Sequence, residues 1–277
     1  IMKKLILFLI CILTVNSYAC LNGDKLFNKN TYISTNEKSN LDQQDFEDVI
    51  ADVVDIYKPI MKHMGLTLKS FANWNSTQVN ARADRKGRIR RIIIFGGMGR
   101  HKLVNKDELR LIVCHEIGHH IGGAPKASSW ASGEGQADYF ASTKCLRNVF
   151  LKYPIELDLN QAPKDIVQKC ENTFEQYKDV QVCVRSSIAG LNTAKLFAEL
   201  NETTAPDSQM HDPSVVTSTK HRHPLPQCRF DTYSAGASCF ISHHTAFSSK
   251  DETIGACHEK NGHLIGIRPK CWFKAKK

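Results

Sequence analysis

Between residues 41 and 64, apolar side chains return every three or four positions: Phe46, Val49, Ile50, Val53, Tyr57, Ile60, Met61 and Met64. That period predicts a helix over about Leu41 to Met64 with one core-facing stripe, closed by Gly65 and bent near its end by Pro59. The pattern then shortens. "LTLKSF" and "TQVNARA" read as strands, and a turn at Lys86-Gly87 leads into a β-branched run, Arg90 to Phe95, so that a hairpin is expected. The Arg90–Phe95 strand could pair with an extended substrate or lie inside a sheet. Asn80 reads as a turn or cleft residue. A second helix should start at Asn105 or Asp107 and run through His120, with Leu109, Ile112, Val113, Ile117 and Ile121 as its apolar positions, before Gly122-Gly123 and Pro125 stop it. After a loop at 124–132, Ser132 is the expected N-cap of a third helix through "EGQADYFASTKCLRNVF". Two more are expected, over about Pro163–Tyr177 and Val182–Leu200. Residues 201–228 read as irregular, and a Gly- and Cys-rich tail follows from Phe230. The mixture predicts an α+β fold.

The first residues change the picture of where the chain works. Lys3-Lys4, an apolar run from Leu5 to Val15 and Ser17-Tyr18-Ala19 make residues 1–19 a predicted secretory signal peptide, too short to stay as a membrane anchor. Residues 20–40 form a polar segment, 41–229 the expected core and 230–277 a Cys-rich extension. Of the 10 cysteines, Cys11 leaves with the signal. If Cys20 carries a lipid, eight remain, enough for four disulfides; if not, one thiol is left over. Spread cysteines without C-x-x-C pairs in an exported chain read as disulfides rather than zinc knots. Export would place the protein in the periplasm or outside the cell, lipid-anchored if Cys20 is modified, with no transmembrane helix in the mature chain.

Charge narrows the partners. The whole chain carries 37 basic and 28 acidic side chains for a net of +9, about +7 without Lys3 and Lys4. The excess suits an anionic envelope surface or plain solubility. No basic run is interleaved with aromatics, so nucleic acid is not an expected partner.

The chemistry lies in "VCHEIGHH". On a helix, His115 and His119 stand one turn apart on one face and can reach one ion, while Glu116 beside them can reach a water on it. His120 points about 100° off that face and is a second-shell, surface or pocket-wall group. Catalytic zinc takes three protein ligands. Glu134 and Asp138, four apart at the start of the next helix, offer the third ligand and an acceptor for a ligand histidine's free N–H; the plainer reading is an acidic pair complementing the helix dipole. Cys114 is a buried or disulfide cysteine. His243, His244, His258 and His263 have no ligand spacing and read as surface groups.

H-E-I-G-H followed by "EGQADYFA" resembles the gluzincin zinc metallopeptidases that include the CAAX prenyl endopeptidases, HtpX and BepA-like proteases. The family's E-x-x-A-D-x-x-A block falls on Glu134, Ala137, Asp138 and Ala141. "KDELRLIVCHEIGHH" is similar to its lead-in to the zinc helix, "VNARADRKGRIRRIIIFGGM" to its V-N-A-x-A hairpin and "HPLPQCR" to its H-P-x-x-x-x-R element, at His223, Pro224 and Arg229. The likeness spans about Val79 to Arg229. It implies a zincin-like fold, Zn2+ on His115, His119 and Glu134, Glu116 as general base, Asp138 behind a ligand, His223 as oxyanion donor and Arg229 supporting the site. Departures are Cys114, where the family has alanine, the absence of transmembrane helices after the signal, and a tail with no counterpart; prenylated substrates are therefore not implied.

The expected activity is hydrolysis of protein or peptide substrates by an exported zinc metalloendopeptidase. Two alternatives stand beside it: a non-catalytic zinc-containing envelope binding protein, against which Glu116 speaks, and a zinc hydrolase acting on cell-wall amide bonds.

Overall fold

The structure is a computed structural model and describes residues 31–276. The predicted signal peptide and Cys20 lie outside the described residues. The first helix, α1 (Gln43–His63), has its predicted face inward: Phe46, Val49, Ile50, Val53, Tyr57 and Met61 are buried, each worth about 1.5–3 kcal/mol when withdrawn from water. Asp42 caps it by accepting the Asp45 N–H at 2.8 Å. Strands β1 (Thr67–Asn73), β2 (Ala81–Lys86) and β3 (Ile89–Phe95) form one sheet in the order β1-β3-β2, with β1 parallel and β2 antiparallel to β3. The Arg90–Phe95 stretch is therefore internal. Of its two readings the internal one holds: the outer strand on the site side is β2, and β3 pairs with both neighbours.

A short turn of helix, α2 (Gly96–Gly99), leads to α3 (Lys106–Ile121). Glu108 starts α3 by accepting the Asn105 N–H at 2.9 Å. Glu134–Phe140 (α4), a π-helical stretch Ala141–Cys145 and Leu146–Lys152 (α5) run on as one rod. Ser132 is not its N-cap. Gly133 stands there, and the Ser132 hydroxyl instead donates to the Gly123 carbonyl at 2.8 Å. Helix α6 ends early, spanning Lys164–Glu171, and α7 begins early, spanning Tyr177–Leu200. Helix α8 (Pro226–Ala237) runs across the point where the Cys-rich extension was expected to begin.

Helices α3 and α4 approach closely because position 118 has no side chain: a Cβ there would lie 3.0 Å from the Ala137 backbone. Among the described residues all cysteines are paired, as Cys114–Cys145, Cys170–Cys183, Cys228–Cys271 and Cys239–Cys257. The first ties α3 to the π-helical stretch. Cys228–Cys271 ties the end of the chain to α8, and Cys239–Cys257 closes a loop within the residues after α8. Tyr139 donates to the Gly266 carbonyl at 2.6 Å, Arg268 to the Gln136 side chain at 2.7 Å and the Trp272 indole to Thr232 at 2.9 Å. His258, expected at the surface, is 3 % exposed and packed within this region. No helix of the described residues is long and apolar enough to cross a membrane.

Candidate metal centre

The two histidines of H-E-I-G-H and the glutamate of α4 meet in the interior. His115 Nε2 and His119 Nε2 lie 3.1 Å apart. Glu134 brings Oε2 within 3.2 Å of the first and Oε1 within 3.7 Å of the second. All three side chains are buried, and their ligand atoms lie within 4.8 Å of one another.

The far sides of the rings fix what the near sides offer. His115 Nδ1 lies 2.7 Å from Asp138 Oδ1, and His119 Nδ1 lies 3.1 Å from the Ser132 carbonyl oxygen. A carboxylate and a carbonyl only accept, so each ring carries its proton on Nδ1 and turns a lone pair inward at Nε2. Two lone pairs and a carboxylate converging in a buried space repel one another unless a cation sits among them. That cation is a metal ion or a proton. For a proton the best seat is His115: burial works against its charge, but the Asp138 and Glu134 carboxylates outweigh burial and lift it to about 10. His119 goes the other way, pushed down to about 4, chiefly by burial. Glu134 is held well below the usual carboxylate range, because the histidines His223, His119 and His115 together outweigh its burial. The residues present fit a metal ion.

Behind His115, Asp138 is wholly buried and fully used. Arg229 on α8 donates to both its oxygens, Nε at 3.0 Å and a terminal nitrogen at 2.7 Å, and the Tyr233 hydroxyl donates at 2.6 Å. The fork holds the carboxylate ionised and aimed at the imidazole. Tyr233 had not been expected here. It stands one helical turn beyond Arg229, a spacing readable only once α8 is known to be a helix. His119 takes its support from Ser132 backbone, which no side-chain motif announces.

His120 settles as a bridge between α3 and the sheet. Its Nε2 donates to the Arg91 carbonyl at 3.0 Å, and its ring stacks on Trp130 with centroids 5.3 Å apart. Burial pushes its pKa down to about 3 and keeps the ring neutral.

Glu116 faces a cavity of about 30 Å³ that it shares with Asn80, Ala81, Met98, Ile112, His115, Phe197, His223, Arg229 and Tyr233. That is room for about one water. Burial foremost pushes the Glu116 carboxyl up to about 8. His223 places Nδ1 3.0 Å from Glu134 Oε2. Sequence-expected residues His115, Glu116, His119, Glu134, Asp138, His223 and Arg229 are thus all brought together, and Asn80 joins them as a cleft residue. A second gathering, Asp212, Cys228 and Cys271, offers no metal site because its two sulfurs are joined. Comparison with protein-family models, curated proteins and solved structures finds no match to this chain.

Proposed function

We propose that this chain is an exported zinc metalloendopeptidase of the gluzincin type, hydrolysing peptide bonds with a metal-activated water. The observation that carries the reading is a buried, tautomer-fixed His115–His119–Glu134 set with Glu116 next to it, opening on a cavity of one water's size. Two imidazole nitrogens and a carboxylate are the donor set of catalytic zinc, with a position left for water. The zincin-like assignment of the fold belongs to this proposal. It is supported by the helix pair that would supply the ligands and by β2, the edge strand of the sheet, which has no further strand beside residues 81–86 among the described residues.

The bound metal would acidify a water and polarise the scissile carbonyl. Glu116 does the proton work, accepting from the water on a carboxylate oxygen and returning the proton to the departing amine. His223 donates to the carbonyl oxygen as that oxygen gains charge, and Arg229 keeps Asp138 in place behind His115. Four disulfides accord with an oxidising compartment. A binding-only role gives no use to a buried carboxyl that faces the cavity beside His115.

The test is purification, zinc content, and cleavage of a varied peptide library by wild type and Glu116→Gln. Wild type is expected to hold one zinc per chain and to cleave, and Glu116→Gln to keep the zinc and lose at least about a hundredfold in kcat. Zinc without Glu116-dependent peptide cleavage would sink the reading, and cleavage confined to cell-wall fragments would favour the amide-hydrolase alternative.

A further inference from the structure

Next to the proposed site Arg85, Arg90 and Lys126 lie close together, with no ion pair to an acid among the described residues. The β2–β3 hairpin, residues 81–95, holds Arg82, Arg85, Lys86, Arg88, Arg90 and Arg91 against one acid, Asp84, and Asp84 is taken by Arg91. Arg85 and Arg90 stand directly opposite each other on β2 and β3, a like-charged pair that costs stability. Lys126, from the loop that leads to Glu134, joins them. Their contacts are all with neutral groups: Arg85 with the Ser129 hydroxyl at 3.4 Å and the Trp130 ring at 5.6 Å, Arg90 with the Gly87 carbonyl at 2.8 Å, Lys126 with the Trp130 carbonyl at 3.1 Å. All three are partly buried. Burial, then mutual repulsion, lowers the pKa of Arg90 and of Lys126. The Trp130 that Arg85 and Lys126 touch is the ring on which His120 stacks, one residue from the proposed ligand His119.

The path between this cluster and the metal centre is the outer edge of β2. Asn80 turns its carbonyl to Phe95 on β3, so by strand alternation Ala81, Ala83 and Arg85 turn their backbone groups outward. Immediately upstream that same edge already accepts a strand. The Val79 N–H donates to the Thr31 carbonyl at 2.8 Å and the Ile33 N–H to the Thr77 carbonyl at 2.7 Å, with Tyr32 and Gln78 in antiparallel register. A peptide that follows this orientation with its reacting bond at the cavity by Ala81 sends its N-terminal part toward Arg85. Four residues of strand cover about 13 Å.

We propose that Arg85, Arg90 and Lys126 form a subsite for an acidic side chain three to five residues N-terminal to the scissile bond, so that acidic peptides are the preferred substrate class. This rests on the peptidase reading, and its test separates the two. Matched peptides carrying Glu or Gln at each of these positions are assayed for cleavage at about 20 mM and about 500 mM salt, across which screening length falls severalfold. The same peptides, labelled, are assayed for binding to the intact protein by fluorescence anisotropy.

The expected result is a Glu-over-Gln preference of about fivefold at low salt. The preference should collapse at high salt and in the Arg85→Gln/Arg90→Gln double variant, and should persist in Arg85→Lys/Arg90→Lys. The double variant is expected to melt no lower than wild type, because it relieves a like-charged pair. A Glu/Gln ratio near one in wild type, or a ratio unchanged in a folded double variant, overturns the inference. Binding preference without any cleavage upholds the subsite and overturns the peptidase reading alone. Tighter binding of an anionic polysaccharide than of acidic peptide overturns the assignment to peptides.

Discussion

Asp138 answers to more of the site than any ligand does. It fixes the proton on His115, and it is the counter-ion of a wholly buried Arg229. Asp138→Asn removes the ion pair and leaves Arg229 uncompensated. The expected cost is about 3–5 kcal/mol of stability and a 10- to 100-fold loss of metal affinity, read by urea unfolding and by competition with a zinc chelator. Lys144 shows the opposite case, a buried cation with no acid. Its ammonium donates to the Ser242 carbonyl at 2.8 Å above the Phe247 ring, and burial, with Arg147 and Arg268 adding, pushes it down to about 7. The native pKa lies below the ordinary lysine value, so between about pH 7 and pH 10.5 the unfolded chain holds more protons than the native one. This group's contribution therefore grows more favourable as pH rises through that window, and its penalty is complete below pH 7. Lys144→Met is expected to raise the unfolding midpoint at pH 6 and to lose most of that advantage by pH 10.

The pairing of α3 with the α4 rod is held covalently as well as by packing. Cys114 precedes His115, and its partner Cys145 closes the π-helical stretch, 31 residues away. Chain-entropy reasoning for a loop of that length gives about 3–4 kcal/mol, so Cys114→Ala/Cys145→Ala is expected to unfold at correspondingly lower urea and to hold its metal more loosely in equilibrium dialysis. Gly135 tests the same junction from the other side. A Cβ there would lie 2.4 Å from the Trp272 indole, so Gly135→Ala must displace either the tryptophan or the helix start that carries Glu134. A loss of about 1–3 kcal/mol together with weaker metal binding is the expected outcome.

How far the residue pattern reaches is clearest among these elements. Helices α1 and α3 were readable because a period of 3.6 and end signals agree; the start at Asn105 was read, and the Asp42 cap was not. The Glu134–Asp138 spacing likewise carried through to position, with Glu134 meeting the two histidines and Asp138 meeting His115. Strand order was not readable: β1 pairs with β3 in parallel across the hairpin, a choice made by packing under α1 rather than by alternation along any one strand. Helix α8 escaped because it is buried on nearly all sides, leaving no polar face to set a period. Its Arg229 was found through a motif, but Tyr233, which meets Asp138 across a long sequence distance, was not.

For the molecule as a whole, a metal held at the proposed site and the fold would be coupled. The His115–His119–Glu134 set exists only in the native state, so a bound ion stabilises it by mass action, about 2.7 kcal/mol at a hundredfold excess over Kd. Chelation is expected to lower the melting temperature and added zinc to restore it. A melting temperature indifferent to both would mean that a proton, seated on His115, satisfies the cluster.

The Trp272 contact has a further consequence, in time rather than in space. The chain is made from its N-terminal end, and His115, Glu116, His119 and Glu134 all precede by far the tryptophan that walls the start of α4 and the Cys271 that fastens it to Cys228. Until those late residues emerge and oxidise, the ligand helix lacks its backing. A hydrolytic centre of the kind proposed, built this way, would mature only after synthesis has passed residue 272 and Cys271 has met an oxidant. The order of synthesis itself would then delay that chemistry until the chain is nearly complete.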